Sequence, residues 1–338
     1  QYNWTFGDGN TANGTPGPQN GYGAVGSYTA KLIVTSDSGC VDSTTRTLWV
    51  HPKPTASFVY NDTCHTYQHS FNASASTVAS GSITNYAWNF DDASTGSGVT
   101  TNKTYSLVNT YNVKLVVTTD SACKDSITHP VIVYPNPVAD FTTNDTDQCV
   151  NGNNFVFTNA TGIASGTVTY GWNFGESATD TSTQTNTAKV YAANGAYNVG
   201  LVAVSGFGCR DTVTKLMTVY AKPAQAFTIN DTDQCLNGNN FVFTNTSNIT
   251  PVVGLSYLWT FDDGSTSTQT SPTRSYAYAD TFAVKLVVTS INGCSDSVTQ
   301  NVYVYPKPSP DFIVNDSLQC FGPNLYTFTN IGIINSGT

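Results

Sequence analysis

Charge is scarce in this chain of 338 residues. Asp, Glu, Lys and Arg make up 10% of it, against about a quarter in ordinary soluble domains. Only 13 residues are Lys or Arg and the net charge is −9, so the basic patch that nucleic-acid binding needs is missing and an anionic membrane surface would repel the chain. Methionine occurs once, at Met217, and the chain does not begin with one. No apolar run approaches the roughly 18 residues of a spanning helix, and no signal peptide is present. Lacking a natural start, the chain reads as a processed or excerpted piece, and the missing signal peptide therefore says nothing about secretion. Histidine is limited to His51, His65, His69 and His129. None recurs at a fixed interval, and all four are read as surface residues in linkers or at strand edges.

What is present is hydroxyl, amide and aromatic. Hydrophobic residues reach 39% and aromatics 12%, and Ser, Thr, Asn and Gly fill the places that charge leaves empty, a composition suited to exposed β-sheet. The order of these residues repeats. "YNWTFGDG" at 2–9 returns as "YAWNFDDA" at 86–93, "YGWNFGES" at 170–177 and "YLWTFDDG" at 257–264. An alternating segment of the type "TYNVKLVVTT" follows each, then Cys40, Cys123, Cys209 or Cys294, a further strand, and a proline-marked linker: "HPKP", "YPNP", "YAKP" or "YPKP". Phe58, Phe141, Phe227 and Phe312 each stand three residues before an Asn, and a second cysteine (Cys64, Cys149, Cys235, Cys320) leads into the next strand. The second linker prolines, Pro54, Pro137, Pro223 and Pro308, set a period of 83 to 86 residues.

Within a unit the apolar positions step by two. Tyr86, Trp88 and Phe90 share one face, as do Tyr111, Val113, Leu115 and Val117, which is a strand pattern and not a helical one. About seven short strands per unit, separated by Gly, Asn, Asp and Ser clusters, predict an all-β chain: a tandem array of immunoglobulin-like antiparallel β-sandwiches. Tyr-x-Trp-x-Phe-Gly-Asp-Gly, then Tyr-x-Val-x-Leu-x-Val, then Gly-Cys-x-Asp-Ser resembles the polycystic kidney disease (PKD) repeat, across essentially the whole chain. The Cys-bearing, Asn/Thr-rich form is similar to repeats of large Bacteroidota surface proteins, including gliding and adhesin filaments. The expected domains are 1–52 (partial, strands three to seven), 53–136, 137–221, 222–306 and 307–338 (partial, strands one and two). The tail "FTNIGIINSGT" at 328–338 matches the start of "FTNATGIASGTVTYGWNF" at 157–174. The two end pieces are therefore expected to be halves of one domain type, belonging to a longer polypeptide or completing one another between copies.

The Gly-Asp-Gly turn invites a phosphate or catalytic reading. Its counterparts read Asp91-Asp92-Ala93, Gly175-Glu176-Ser177 and Asp262-Asp263-Gly264, a drift that suits a turn, with Gly supplying positive φ. Eight Cys, two per repeat, read as a disulfide framework of an oxidising compartment, and no recurring Cys-x-x-Cys or His pair suggests zinc. In an immunoglobulin-like sandwich the loop between the first two strands (first-loop cysteines Cys64, Cys149, Cys235 and Cys320) and the loop between the last two (second-loop cysteines Cys40, Cys123, Cys209 and Cys294) lie at opposite poles. This favours inter-domain pairs, Cys64–Cys209 and Cys149–Cys294. The alternatives are intradomain pairs, Cys64–Cys123, Cys149–Cys209 and Cys235–Cys294, or pairs across a linker such as Cys123–Cys149. The double-proline linkers favour extended backbone and semi-rigid spacing, and four sandwiches of about 35–40 Å would span on the order of 150 Å.

The remaining candidates are weaker. "NDTDQC" at 144–149 and 230–235 offers Asp145, Asp147, Asp231 and Asp233 as oxygen ligands for Ca²⁺. The first and last copies lose the second Asp, so a polar turn is the preferred reading and no cofactor is expected. Asp followed by a hydroxyl at Ser43, Ser126, Thr212 and Ser297 resembles the site at which Bacteroidota O-glycosylate exported proteins. Asn72, Asn159 and Asn245 open Asn-x-Ser/Thr sequons of the kind that Asn/Thr-rich chains generate freely. Most Tyr and Trp occupy core periods, leaving Trp49 as the one Trp off pattern and expected to be exposed. No catalytic constellation emerges. The expected role is mechanical: a stiff stalk or filament of an extracellular or cell-surface protein, touching neighbouring repeats, copies of itself, or surface glycans and proteins, with no nucleic-acid partner and no membrane insertion. The competing expectation is a polymer- or carbohydrate-binding accessory segment of a secreted hydrolase.

Overall fold

The computed structural model describes residues 1–333. Every regular element in it is a β-strand, and no helix is long and apolar enough to cross a membrane. The chain groups into two compact units. One comprises Gln1–Ala139 with Thr161–Thr169 and Ala203–Asp211; the other comprises Asp140–Ala160, Tyr170–Val202 and the residues from Thr212 on.

In the first unit, residues 53–134 build a complete sandwich. Its three-stranded sheet runs Thr100–Thr104, Gln68–Asn72, Val59–Tyr60, and its five-stranded sheet runs Thr63–Cys64, Lys124–Tyr134, Thr110–Thr119, Ile83–Asn89, Thr95–Ser97. That is eight strands where about seven were expected. The first strand breaks at Asn61-Asp62: Val59–Tyr60 stays antiparallel with Gln68–Asn72, while Thr63–Cys64 crosses to lie parallel to the end of Lys124–Tyr134. The Asp62 carboxylate covers the crossing by accepting the Ile132 N–H at 2.8 Å. Strand alternation delivers the core. Trp88 stands opposite Leu115 and Tyr86 opposite Val117, and Phe58, Phe71, Trp88, Phe90, Tyr105, Val113, Leu115 and Val131 fill the space between the sheets.

Residues 1–50 form a single four-stranded sheet, ordered Thr11–Asn13, Tyr2–Thr5, Gly26–Thr35, Val41–Val50. The fifth strand expected there is not formed. Its counterpart Thr100–Thr104 is held by pairing with Gln68–Asn72, and no such partner strand exists for it among the described residues.

The second unit contains the core of the third sandwich (Phe141, Phe155, Phe157, Trp172, Phe174, Tyr191, Leu201, Met217) and of the fourth (Phe227, Phe241, Phe243, Trp259, Phe261, Tyr276, Phe282, Leu286). Both repeat the three-plus-five strand order. Each buried Trp has its indole N–H satisfied by a carbonyl: Trp88 by Gly98 at 2.9 Å, Trp172 by Gln184 at 2.8 Å and Trp259 by Gln269 at 2.9 Å. A buried Trp whose polar tip is paired anchors a core by about 3–5 kcal/mol relative to Ala. The last described element is the hairpin Phe312–Val314 with Phe328–Asn330; the end of the expected 307–338 fragment, 334–338, lies outside the described residues.

Candidate functional site

The turn after each Trp-x-Phe is a structural joint. Gly7 has φ +81 and Gly175 φ +77, and a Cβ on either would lie 2.8 Å from the backbone N and O of Thr29 or Asn198. Glycine is required there by close approach as well as by φ. The second and fourth copies solve the same contact differently. Asp91 and Asp262 accept the N–H of the adjacent strand, from Asn112 at 2.8 Å and from Ala283 at 3.4 Å.

In the second, third and fourth copies the next residue of the turn carries an acid that a basic side chain covers, whereas in the first copy Asp8 accepts from the Asn10 and Asn20 amides at 3.0 and 2.7 Å. Lys103 Nζ lies 2.6 Å from Asp92, Lys189 lies 2.6 Å from Glu176 and 2.9 Å from Asp180, and Arg274 pairs with Asp263. Each cation also sits over aromatic rings. Lys103 is 5.8 Å from the Phe90 centroid and 5.5 Å from Tyr105, Lys189 matches it over Phe174 and Tyr191, and Arg274 lies over Phe261. Partial burial works to raise the Asp92 carboxyl, but Lys103 and Ser94 outweigh it and hold the group below the usual carboxylate range. Ser265 and Arg274 do the same for Asp263 against its burial. Tyr276 is pushed up to about 12, mainly by burial and then by Asp263. In these three copies the turn acids already hold a cation against aromatic rings, an arrangement that suits a joint rather than an open phosphate or nucleophile site. The brace was legible as a basic residue two positions before a Tyr (Lys103, Lys189, Arg274), conspicuous in a chain with only 13 bases.

The histidine expectation needs correction at His69, which is fully buried. It alternates with Phe71 along Gln68–Asn72 and packs edge-on against Tyr105 at 5.3 Å, as Phe155 does against Tyr191 and Phe241 against Tyr276. Period two placed it inside. His129 is half-buried, with Phe58 at 4.8 Å, while His51 is exposed. Trp49 is 68% exposed.

The calcium candidates close on themselves. Asp145 accepts the Asp147 N–H at 3.2 Å and Asp231 the Asp233 N–H at 3.1 Å, while Asp147 and Asp233 accept the hydroxyls of Thr146 and Thr232. Among the described residues no three His, Cys, Asp or Glu converge on a metal position. Beside these loops lie two buried asparagines that the sequence reading missed. Asn153 donates to Val150 O and Tyr191 O at 2.9 Å and accepts the Tyr191 N–H at 2.7 Å, and Asn239 repeats the bracket with Leu236 and Tyr276. The repeated "NGNNF" at 151–155 and 237–241 was the available signal.

Ser43, Ser126, Thr212 and Ser297 are all exposed. The Asp before each of the middle two has a structural task. Asp125 accepts the Ala56 N–H at 2.9 Å and pairs with Lys53, which together hold its carboxyl low, and Asp211 accepts the Ala139 N–H at 2.7 Å. A cleft of about 460 Å³ in the first unit includes His65, Arg210 and Asp211, with Asp211 already engaged in that bond.

The cysteines give the arrangement with most consequence. Cys64 is bonded to Cys209 in the first unit, with Cα atoms 5.6 Å apart, and Cys149 to Cys294 in the second, at 5.5 Å; both span 145 residues of sequence. The intradomain pairs Cys64–Cys123, Cys149–Cys209 and Cys235–Cys294 are not formed, nor is Cys123–Cys149. Cys123 precedes Lys124–Tyr134, and Cys64 lies opposite the far end of that strand, at Tyr134. Ten residue steps at about 3.3 Å put more than 30 Å between the two thiols. Beside the Cys64–Cys209 staple the rings of Tyr134 and Phe207 stack at 4.2 Å, and Asn136 donates to the His65 carbonyl at 2.9 Å. The staple thus joins the first loop of one sandwich to the last hairpin of the following one, with the short proline linker alongside.

Sheets of three and five strands over an aromatic core, repeated in tandem and stapled loop to hairpin, define an array of immunoglobulin-like β-sandwich modules. Four consecutive stretches, 1–50, 51–133, 134–219 and 221–305, match the PKD domain model, and the chain belongs to that family. It is 36% identical over 83 residues to the pre-pro-metalloprotease PrtV of Vibrio cholerae, a match covering 23% of this chain and 9% of that protein. The chain thus spans less than a tenth of the length of the curated relatives it matches. The crystallised PKD1 domain of the same metalloprotease is 34% identical and covers 25% of this chain and 96% of that one, with a TM-score of 0.22. The eight N-terminal Ig domains of Down Syndrome Cell Adhesion Molecule cover 91% of this chain and 45% of theirs, at 12% identity and a TM-score of 0.47. No catalytic domain is evident among the described residues.

Proposed function

We propose that this chain is a repeat segment of a long extracellular or cell-surface protein, in which PKD domains serve as a stiff stalk or filament for adhesion and surface contact. The observation that carries the reading is the pair of inter-domain staples, Cys64–Cys209 and Cys149–Cys294. A junction crossed by both a proline linker and a disulfide has lost most of its hinge freedom, and disulfides persist in oxidising surroundings outside the cytosol. Its partners in this reading are neighbouring repeats, copies of the same chain, and surface glycans or proteins. Negative-stain electron microscopy with and without reductant tests it. Straight segments that bend after reduction are expected; equal bending under both conditions would remove the staples as the source of stiffness.

The similarity to a pre-pro-metalloprotease favours a second reading, an accessory segment that binds polymer beside a secreted hydrolase. Co-sedimentation with insoluble collagen, chitin or cellulose separates the two, since a pure spacer stays in the supernatant.

A further inference from the structure

Cys40, Cys123, Cys235 and Cys320 are unpaired. Each occupies a position that, elsewhere in the chain, carries a staple. Cys235 lies opposite Tyr305 in a short parallel pairing, as Cys64 lies opposite Tyr134 and Cys149 opposite Tyr220. The residue after each donates its N–H to that Tyr carbonyl: His65 at 2.7 Å, Val150 at 2.8 Å and Leu236 at 2.8 Å. The loop is braced in the same way with or without the bond. Gln148, next to the bonded Cys149, accepts the Asn154 N–H at 2.7 Å; Gln234 accepts that of Asn240 at 2.7 Å and Gln319 that of Leu325 at 2.8 Å.

The second-loop cysteines show the same preparation. The bonded Cys209 accepts the Ser205 N–H at 2.8 Å and returns its own N–H to Ser205 Oγ at 3.1 Å. Cys123 makes both bonds with Thr119, at 2.9 and 3.1 Å, and Cys40 makes both with Ser36, at 2.9 and 3.1 Å. Within the second-loop class exposure separates bonded from unbonded members: Cys209 and Cys294 are each 1% exposed, whereas Cys40 is exposed and Cys123 half-buried. A partner at the separation of 145 residues seen in both staples would fall outside residues 1–338 for all four.

We propose that these four cysteines are half-staples of one continuing disulfide ladder. Cys235 and Cys320 each bond a second-loop cysteine of another PKD domain, and Cys40 and Cys123 each bond a first-loop cysteine. The proposal rests on the extracellular array reading. The complementary thiol comes from a further repeat of the same polypeptide or from a second copy of this chain, whose Cys40 and Cys123 are of the class that Cys235 and Cys320 require. Bond formation proceeds by exchange with a low-molecular-weight disulfide such as oxidised glutathione. One thiolate attacks it and releases a thiol; the complementary thiolate then attacks the mixed disulfide, forms the S–S bond and releases a second thiol. Two protein thiols are oxidised while one small disulfide is reduced to two thiols.

Protein purified without reductant, alkylated with iodoacetamide, digested unreduced and mapped by mass spectrometry tests this. None of the eight cysteines should carry the alkyl label, with Cys235 and Cys320 peptides joined only to second-loop peptides and Cys40 and Cys123 only to first-loop ones. Cys235→Ser should expose one second-loop thiol to the label. Links to Cys40 or Cys123 of this sequence, with a ladder on a non-reducing gel, identify a second copy as the source; links to other sequences at single-chain mobility identify a longer polypeptide. Recovery of the four cysteines alkylated, or joined within their own class, overturns the proposal while Cys64–Cys209 and Cys149–Cys294 remain. Alkylation of all eight would overturn the oxidising-compartment reading as well.

Discussion

Replacing His69 by Phe should remove a pH dependence that belongs to the second sandwich alone. His69 is fully buried against Tyr105. Nδ1 lies 3.1 Å from the Asn61 carbonyl, and Nε2 has no partner. Burial pushes the imidazole below its ordinary 6.5, against the opposing pull of the Asn61 carbonyl and of Asp62. Above that value both folded and unfolded chains are neutral at this position. As pH falls below it the unfolded chain takes up a proton first, so stability declines by up to about 1.4 kcal/mol per pH unit until the folded imidazole also titrates. The contribution is thus complete at neutral pH and lost on acidification. Phe155 and Phe241 occupy the equivalent place in the third and fourth sandwiches, so they serve as internal controls. H69F loses the Asn61 bond and gains relief of an unpartnered buried nitrogen, effects that offset to within about 1 kcal/mol at neutral pH. Hydrogen exchange read by peptide between about pH 7.5 and 5.5, above the range in which paired carboxylates protonate, measures the slope. Persistence of the slope in H69F, or an equal slope in the third and fourth sandwiches, would refute the argument.

Three further outcomes follow from the same geometry. C149S/C294S should lower the stability of the second unit by about 2–5 kcal/mol, the upper figure being the chain-entropy value for a loop of 145 residues; an unchanged urea midpoint would contradict this. Asn153→Ala removes a bracket of three bonds and leaves the buried Tyr191 N–H unpaired, so about 2–3 kcal/mol should be lost from the third sandwich, seen as faster exchange in peptides containing Tyr191. Asp92→Asn should cost about 1 kcal/mol at neutral pH, since Asp92 and Lys103 are only 23% and 19% exposed. Because the Asp92 carboxyl is held low, its contribution is present above the ordinary 3.8 and lost as pH falls through the folded value, and the variant should lack that step in acid unfolding.

The strands were readable because alternation is local. A side chain two positions from Phe71 must share its face, and the same rule that placed Trp88 and Leu115 also placed His69, although its residue type argued for the surface. The repeat exposed the modules, and the drift of Gly7-Asp8-Gly9 into Asp91-Asp92-Ala93 marked the turn as a joint. The carboxylate–cation–aromatic braces were less accessible: Lys103 meets Asp92 only after Thr100–Thr104 has paired with Gln68–Asn72 and brought the two side chains together.

By itself the sequence determined the all-β class, the period, the linkers and the two sets of cysteines. Which cysteine meets which was decided by tertiary structure. A disulfide requires Cα atoms within about 6 Å, and no local pattern brings together residues 145 positions apart. The crossing of Thr63–Cys64 onto the end of Lys124–Tyr134 separates Cys64 from Cys123 by a strand length, and the junction in the first unit sets Cys64 against Cys209. Alternation along a strand places side chains in or out; the packing of one domain end on another selects the partner.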